Sequence, residues 1–393
     1  MKKYSAKDKR IFLILLGIMI ISFMLGLAGC ANQRVEIDFN FPEATADAFI
    51  YENVNDEINI IGLTERGKTL ESINIPASID GKPVVRLKNT KAVKNPGSLW
   101  EYESLDESSF ICDVKNIVIP NTIKYIDKYF FSQTKANALL YNGQSILSAY
   151  RAFRESSISE IVIGEGVTFI PEATFEAADL EYVHFPTTLK YIGNHAFYSC
   201  IYLKAVEFNE SMTKIGAHAF YGCSDLKNVC FNEGLEEIGA WSFSKCTKLK
   251  KVVFPDSLII IGDGAFSIPS RYADHMELRE ISFGKSLERI GTWAFAHNEK
   301  LKEIHIPHVN IIEEDAFYYC LELKTVTIGD SIKEIAKDAF KSSRYSIDLY
   351  CYAKEPPCGN LDNVGCYYVL EENFNAWENS YKIDKEKIKI FSP

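Results

Sequence analysis

Basic residues are in short supply in this chain, and so are the motifs of catalysis. Lys and Arg number 43 against 53 Asp and Glu in 393 residues, a formal charge of −10. Residues 1–29 hold five of the bases (Lys2, Lys3, Lys7, Lys9, Arg10) and one acid (Asp8). The remainder therefore carries 38 bases against 52 acids, or −14. Binding to a phosphate backbone relies on clustered Lys and Arg, so this balance argues against nucleic acid as a partner. There is no HExxH pair for zinc, no glycine-rich loop to cradle phosphate and no GxSxG nucleophile elbow. Histidines are few, seven in all. His305 and His308 lie three apart in a strand–proline segment, a poor arrangement for sharing a metal. Abundant acids offer chance carboxylate pairs only. No catalytic residue, cofactor or metal site is assigned, and the chain reads as a non-enzyme.

Disorder is excluded too, by 47% hydrophobic and 13% aromatic residues. What is present is a repeat. Val183, Val206, Val229 and Val252 recur every 23 residues. A fixed period in the twenties marks a solenoid, whose units bury their apolar side only by stacking. The first strand residue of each unit is Ile117, Leu139, Ile161, Val183, Val206, Val229, Val252, Ile281, Ile304 or Val326. A phenylalanine follows fourteen residues later in nine of these ten: Phe131, Phe153, Phe175, Phe197, Phe220, Phe243, Phe266, Phe295 and Phe340. In the other, Phe317 comes one residue early. Between them falls a second apolar pair such as Leu189/Ile192 or Met212/Ile215, usually followed by glycine (Gly193, Gly216, Gly239, Gly262, Gly291).

Alternation in Val206-Glu207-Phe208 points Val206 and Phe208 inward and Glu207 outward. Stacked in register, such strands make one parallel ladder and the Ile-Gly segments a second. The Ala-Phe segment is expected to form a turn of helix on the facing wall, and the glycine to permit a corner that a Cβ would disfavour. Cys200, Cys223, Cys246 and Cys320 each sit three residues after the repeat phenylalanine. Side chains of adjacent coils there are parallel and about 5 Å apart, a poor match to disulfide geometry. They read as a ladder of small apolar residues. Cys351, Cys358 and Cys366 lie outside the array, and two of the three could pair.

In chain order, MKKYSAKDKR and the apolar run Ile11–Leu25 form a secretory leader. It ends in Leu27-Ala28-Gly29-Cys30, which resembles the lipobox of bacterial lipoproteins and implies lipidation of Cys30 after cleavage. An uncleaved anchor is the rival, since Ile11 to Ala31 is long enough to span a bilayer. Both place the repeats outside the cytoplasm. AFIYENVNDEINIIGL reads as two strands around Asn55-Asp56, a hairpin suited to covering the first coil. Ile73 to Ile117 is 44 residues, so 88–113 is either a degenerate coil or a looped-out insertion. Asn142-Gly143 is a hairpin signal inside the Leu139 coil. Between Val252 and Ile281 the step lengthens to 29 around SIPSRYADHMEL, and such insertions are often where partners touch. Beyond Phe340 the pattern fades toward a terminal piece with a short helix over Phe374–Tyr381.

Leu249 through Phe266, LKKVVFPDSLIIIGDGAF, resembles the repeat LxxVxIPxxLxxIGxxAFxxCxxL of BspA-type leucine-rich repeat proteins. SINIPASIDGKPVVRL near the start resembles that family's flanking segments. Glu313, Ala336 and Pro171 depart from the pattern at the Ile-Gly glycine. The expected fold class is an α/β repeat solenoid: parallel strand ladders with short helical turns, capped at both ends. The expected organisation is a leader over 1–29, a tether over 30–48, a cap hairpin with degenerate repeats over 49–116, the array over 117–343 and a terminal cap over 344–393. The resemblance implies a lipid-anchored surface protein of bacteria, binding an extracellular protein or glycan and reaching the membrane through its lipid. An envelope-organising scaffold for proteins of the same cell is the alternative, a glycan-acting enzyme a minor one. The candidate binding face is the outward strand column His184, Glu207, Val253, Ser282, His305 and Thr327. Beside it runs a basic line, Lys204, Lys227, Lys250, Arg279, Lys302 and Lys324, able to steer an acidic partner or simply solvated against nearby Glu.

Overall fold

The computed structural model describes residues 37, 39–90, 110–143, 148–269, 275–341, 343–359, 364–380 and 383–392. The leader, Cys30, residues 91–109, residues 144–147 and residues 270–274 within SIPSRYADHMEL lie outside the described residues.

The chain winds into a β-solenoid. Its first ladder starts at Ile73–Asn74 and proceeds coil by coil, through Asp113–Ile119, Lys135–Tyr141 and Ser157–Ile163, to Asn228–Cys230. The same wall then carries two further sheets, the parallel pair Lys251–Val253/Glu280–Ser282 and five parallel strands from Glu303–Ile306 to Ile388–Phe391. A second ladder of nine two-residue strands runs from Phe169–Ile170 to Cys358–Gly359, every pair parallel. In-register pairing follows from the repeat, because Val206 opposite Val229 keeps every apolar residue on the core side.

Between the ladders the repeat phenylalanines form one unbroken column. Ring centroids from Phe131 to Phe340 step by 4.6 to 5.5 Å. A second column, Phe185, Phe208, Phe231, Phe254 and Phe283, stacks at 5.6–5.7 Å and meets the first edge-on. The six extra residues before Ile281 leave the register across them intact, since Val252 still pairs with Ile281 and Ile261 with Ile290.

The wall carrying Ala-Phe corrects the sequence reading. It is not helical: the α-helix among the described residues is Phe374–Glu378, near the C-terminal end. Positions two before and two after the repeat phenylalanine take left-handed φ, for example His195 (56°) and Ser199 (57°), or Trp241 (58°) and Lys245 (61°). A helix needs an uninterrupted right-handed run, and this alternation forbids one. In exchange, three N–H groups per coil turn outward to the next coil. His195, Phe197 and Ser199 donate to the carbonyls of Ala217, Ala219 and Tyr221 at 2.7–2.9 Å. The third wall is therefore a hydrogen-bonded ladder of turns, and the fold is a β-solenoid rather than α/β.

The corner glycines also have a different cause from the one expected. Their φ is ordinary. A Cβ at Gly239 would lie 2.6 Å from the Gly216 carbonyl carbon, and one at Gly262 2.6 Å from the Ala240 nitrogen. Coils approach too closely there for any side chain.

Cys200, Cys223, Cys246 and Cys320 are buried and unbridged, each thiol donating to the repeat-phenylalanine carbonyl of the preceding coil at 3.1–3.4 Å. Thr134 and Asn298 fill the same slot and donate likewise, to Phe110 and Phe266. Phe110 thus stands in the phenylalanine position of the first coil. Ile73 pairs directly with Ile117 in the first ladder. The hairpin Phe49–Val54/Glu57–Leu63, turning at Asn55-Asp56, joins the first coil through Lys82–Leu87. Around Asn142 the described residues stay parallel, with Lys135–Tyr141 paired to the coils on both sides. At the far end Trp377 is buried, its indole N–H donating to the Ala353 carbonyl at 3.1 Å.

Candidate binding faces

Strand alternation decides which side chains leave the first ladder. Residues next to the core valine or isoleucine point outward, and register aligns them from coil to coil. Glu207 stands beside Cys230, Val253 beside Ser282 and His305 beside Thr327. Glu207, Ser282 and His305 are exposed, while His184, Val253 and Thr327 are half-buried. His184 Nε2 meets the Glu160 carboxylate of the preceding coil. The six candidates share one face.

The column extends further than expected. Thr327 pairs with Tyr350, Tyr350 with Tyr368 and Tyr368 with Lys389. The two tyrosine rings stack at 4.3 Å, Phe391 meets Tyr350 edge-on at 5.4 Å, and Lys389 Nζ lies 5.5 Å from the Tyr368 ring centre. Burial and the adjoining Tyr368 phenol raise the Tyr350 pKa. One signal marked these residues beforehand: Leu349 falls 23 residues after Val326, so Tyr350 occupies the outward position.

Much of the basic line is partnered. Lys204 contacts the Glu181 carboxylate, which raises its pKa, and lies 4.9 Å from the Tyr182 ring centre. Lys250 pairs with Glu277 at 3.4 Å and Lys302 with Glu322 at 3.9 Å, while Lys324 Nζ sits 4.1 Å above Tyr345. Lys204, Lys250 and Lys302 are thus countered by carboxylates, which reduces the net positive field along the line.

On the turn wall, His195 stacks on His218 at 4.8 Å and Tyr198 on Tyr221 at 4.9 Å. Burial, then the His195 charge, lowers the His218 pKa. His308 Nδ1 lies 3.0 Å from the Leu287 carbonyl, so this nitrogen is engaged. Among the described residues no group of three or more His, Cys, Asp or Glu is placed to hold a metal ion. Nor, among them, is any helix long and apolar enough to cross a membrane.

Coils of 22 or 23 residues, two parallel ladders and a continuous phenylalanine column define a leucine-rich repeat solenoid presenting long outer faces. The model of the BspA type leucine rich repeat region matches residues 66–177, 103–227, 148–271 and 267–353. The chain belongs to that family. A leucine rich cell surface protein from Faecalibacterium prausnitzii is 18% identical over 87% of this chain and 100% of its own, with a TM-score of 0.34. A leucine-rich repeat protein from Bacteroides ovatus is 17% identical over 91% and 100%, with a TM-score of 0.36. The pneumococcal vaccine antigen PcpA is 17% identical over 90% and 99%, with a TM-score of 0.31. No curated protein matches the chain.

Proposed function

We propose that this protein is a bacterial cell-surface binding protein, anchored through lipid on Cys30, which engages an extracellular protein or glycan through the outer face of its first ladder. The observation that carries this reading is the outward column itself. Solvent-facing side chains of mixed chemistry, from His184 through Thr327 to the stacked Tyr350 and Tyr368, align on successive parallel strands. A flat, chemically varied strip of this kind suits a macromolecular surface better than a small molecule. Membrane attachment fits as well, because two or more acyl chains hold a protein stably where one gives reversible binding.

The test is binding of the protein to an array of extracellular-matrix proteins and glycans, in parallel with the Tyr350→Ala/Tyr368→Ala double variant. Expected is capture by at least one arrayed partner that the variant loses. Absence of capture across the array, or capture indifferent to the double variant, refutes the face assignment. Mass spectrometry of the mature N-terminus checks the anchor: a diacylated or triacylated Cys30 is expected, and an unmodified residue there refutes it.

A further inference from the structure

We propose that the turn wall around Trp293 is a platform for uncharged saccharides, a second binding site on a different wall from the strand face. The first observation is where the sequence places its rings. The positions flanking each repeat phenylalanine demand left-handed φ, which glycine adopts freely and residues with a Cβ adopt at a cost. Gly264 (62°) and Gly222 (74°) show that glycine fits both. Yet Trp241 (58°), Trp293 (58°), His297 (64°) and Tyr319 (59°) hold large rings there, outside the phenylalanine column.

The second observation is orientation. A Cβ placed on Gly264 would lie 2.6–2.7 Å from Cδ2, Cε3 and Cε2 of Trp241, so that indole lies flat across the Gly264 backbone. Trp293 stands at 86° to Trp241, with ring centroids 6.2 Å apart. Its Nε1–H reaches the next coil and donates to Asp315 Oδ2 at 2.9 Å. The Trp293 ring therefore runs along the solenoid instead of stacking within it, and it is 45% exposed. Further along the same wall His297, Tyr318 and Tyr319 contact one another at 5.0–5.8 Å, with Tyr319 37% exposed.

An exposed indole held by a carboxylate, with an exposed phenol further along the same wall, matches a chain of pyranoses. The C–H face of the sugar covers the ring, and its hydroxyls find carboxylate, phenol and imidazole partners. Charge selects among sugars. The chain carries −10, and Glu314 stands exposed beside Asp315, so uronic and sulfated glycans are repelled and neutral hexoses are not.

Isothermal titration calorimetry of the protein with neutral gluco-, galacto- and manno-hexasaccharides, and with hexagalacturonate as the anionic comparison, tests this. Saturable binding of at least one neutral sugar is expected. Trp293→Ala should weaken it by roughly tenfold or more, and Trp293→Phe by less. Where Trp293→Ala lowers the unfolding midpoint, Tyr319→Ala is read for the same loss. Lys354→Ala, exposed and outside both sets of residues, should leave sugar binding unchanged, and array capture by Trp293→Ala reads the strand face separately. No saturable binding of neutral sugars, preference for hexagalacturonate, or binding that survives both Trp293→Ala and Tyr319→Ala overturns the proposal.

Discussion

Phe317 lies 5.2 Å from Phe295 with rings 9° apart, although it comes one residue early in its repeat. The missing residue is absorbed between Ile304 and Ile312, eight residues apart where Ile281 and Ile290 are nine apart, and Ile312 still pairs with Ile290. The stacked column thus takes precedence over residue count. Deleting an interior ring should then be costly: Phe220→Ala is expected to lower stability by about 3–5 kcal/mol. Urea unfolding checks this, and a loss under about 1 kcal/mol would show that neighbouring coils collapse into the gap.

Close coil approach predicts intolerance at one corner. Gly239→Ala puts a methyl 2.6–2.8 Å from the backbone of Gly216, Ala217 and Ile215, none of which can rotate away. A loss of about 1–3 kcal/mol is expected, as for overpacked cores. Gly81→Asn, at a turn with φ 75° and open space around it, should cost far less.

The cysteine slot predicts chemical silence. Burial raises the thiol pKa of Cys200, Cys223 and Cys246, and pushes that of Cys320 up to about 12. The reactive thiolate is then essentially absent at neutral pH. Iodoacetamide should leave all four unmodified in the native protein and alkylate all four in guanidinium, read by peptide mass spectrometry.

Histidines on the turn wall predict an acid-sensitive fold. Burial lowers the pKa of His218 and of His297 below the ordinary 6.5. The unfolded chain therefore binds protons first as pH falls through 6.5, and stability declines from there until the folded-state histidines titrate. Unfolding free energy should fall between about pH 7 and pH 5. His218→Asn, a residue that tolerates left-handed φ, should flatten that slope. An unchanged slope would show that other groups carry it.

Much of the architecture was legible in the linear chain. Val183 to Val252 repeat at a fixed step, and identical steps stack only one way, so the ladders, the phenylalanine column and the thiol slot could be read from spacing. The outward column could be read as well, since alternation assigns each strand residue a side. The turn wall could not. A run of Ala-Phe with a nearby cysteine has the same hydrophobic pattern whether it coils as a helix or alternates left- and right-handed residues. What chooses between them is the neighbouring coil, whose carbonyls lie in place for His195, Phe197 and Ser199. The corner glycines were recognised for the wrong reason on the same account, because the clash at Gly239 is with a chain segment 23 residues away.

The sequence by itself determined the coil: its length, its core residues and the alternation of its strands, all set by local periodicity. Tertiary structure alone decided the pairing of Ile73 with Ile117, the stacking of Tyr350 on Tyr368, and the lengthwise lie of Trp293. Each of these is settled by contacts between coils, and hydrogen-bond closure and ring packing between neighbours leave no trace in the periodicity of a single coil.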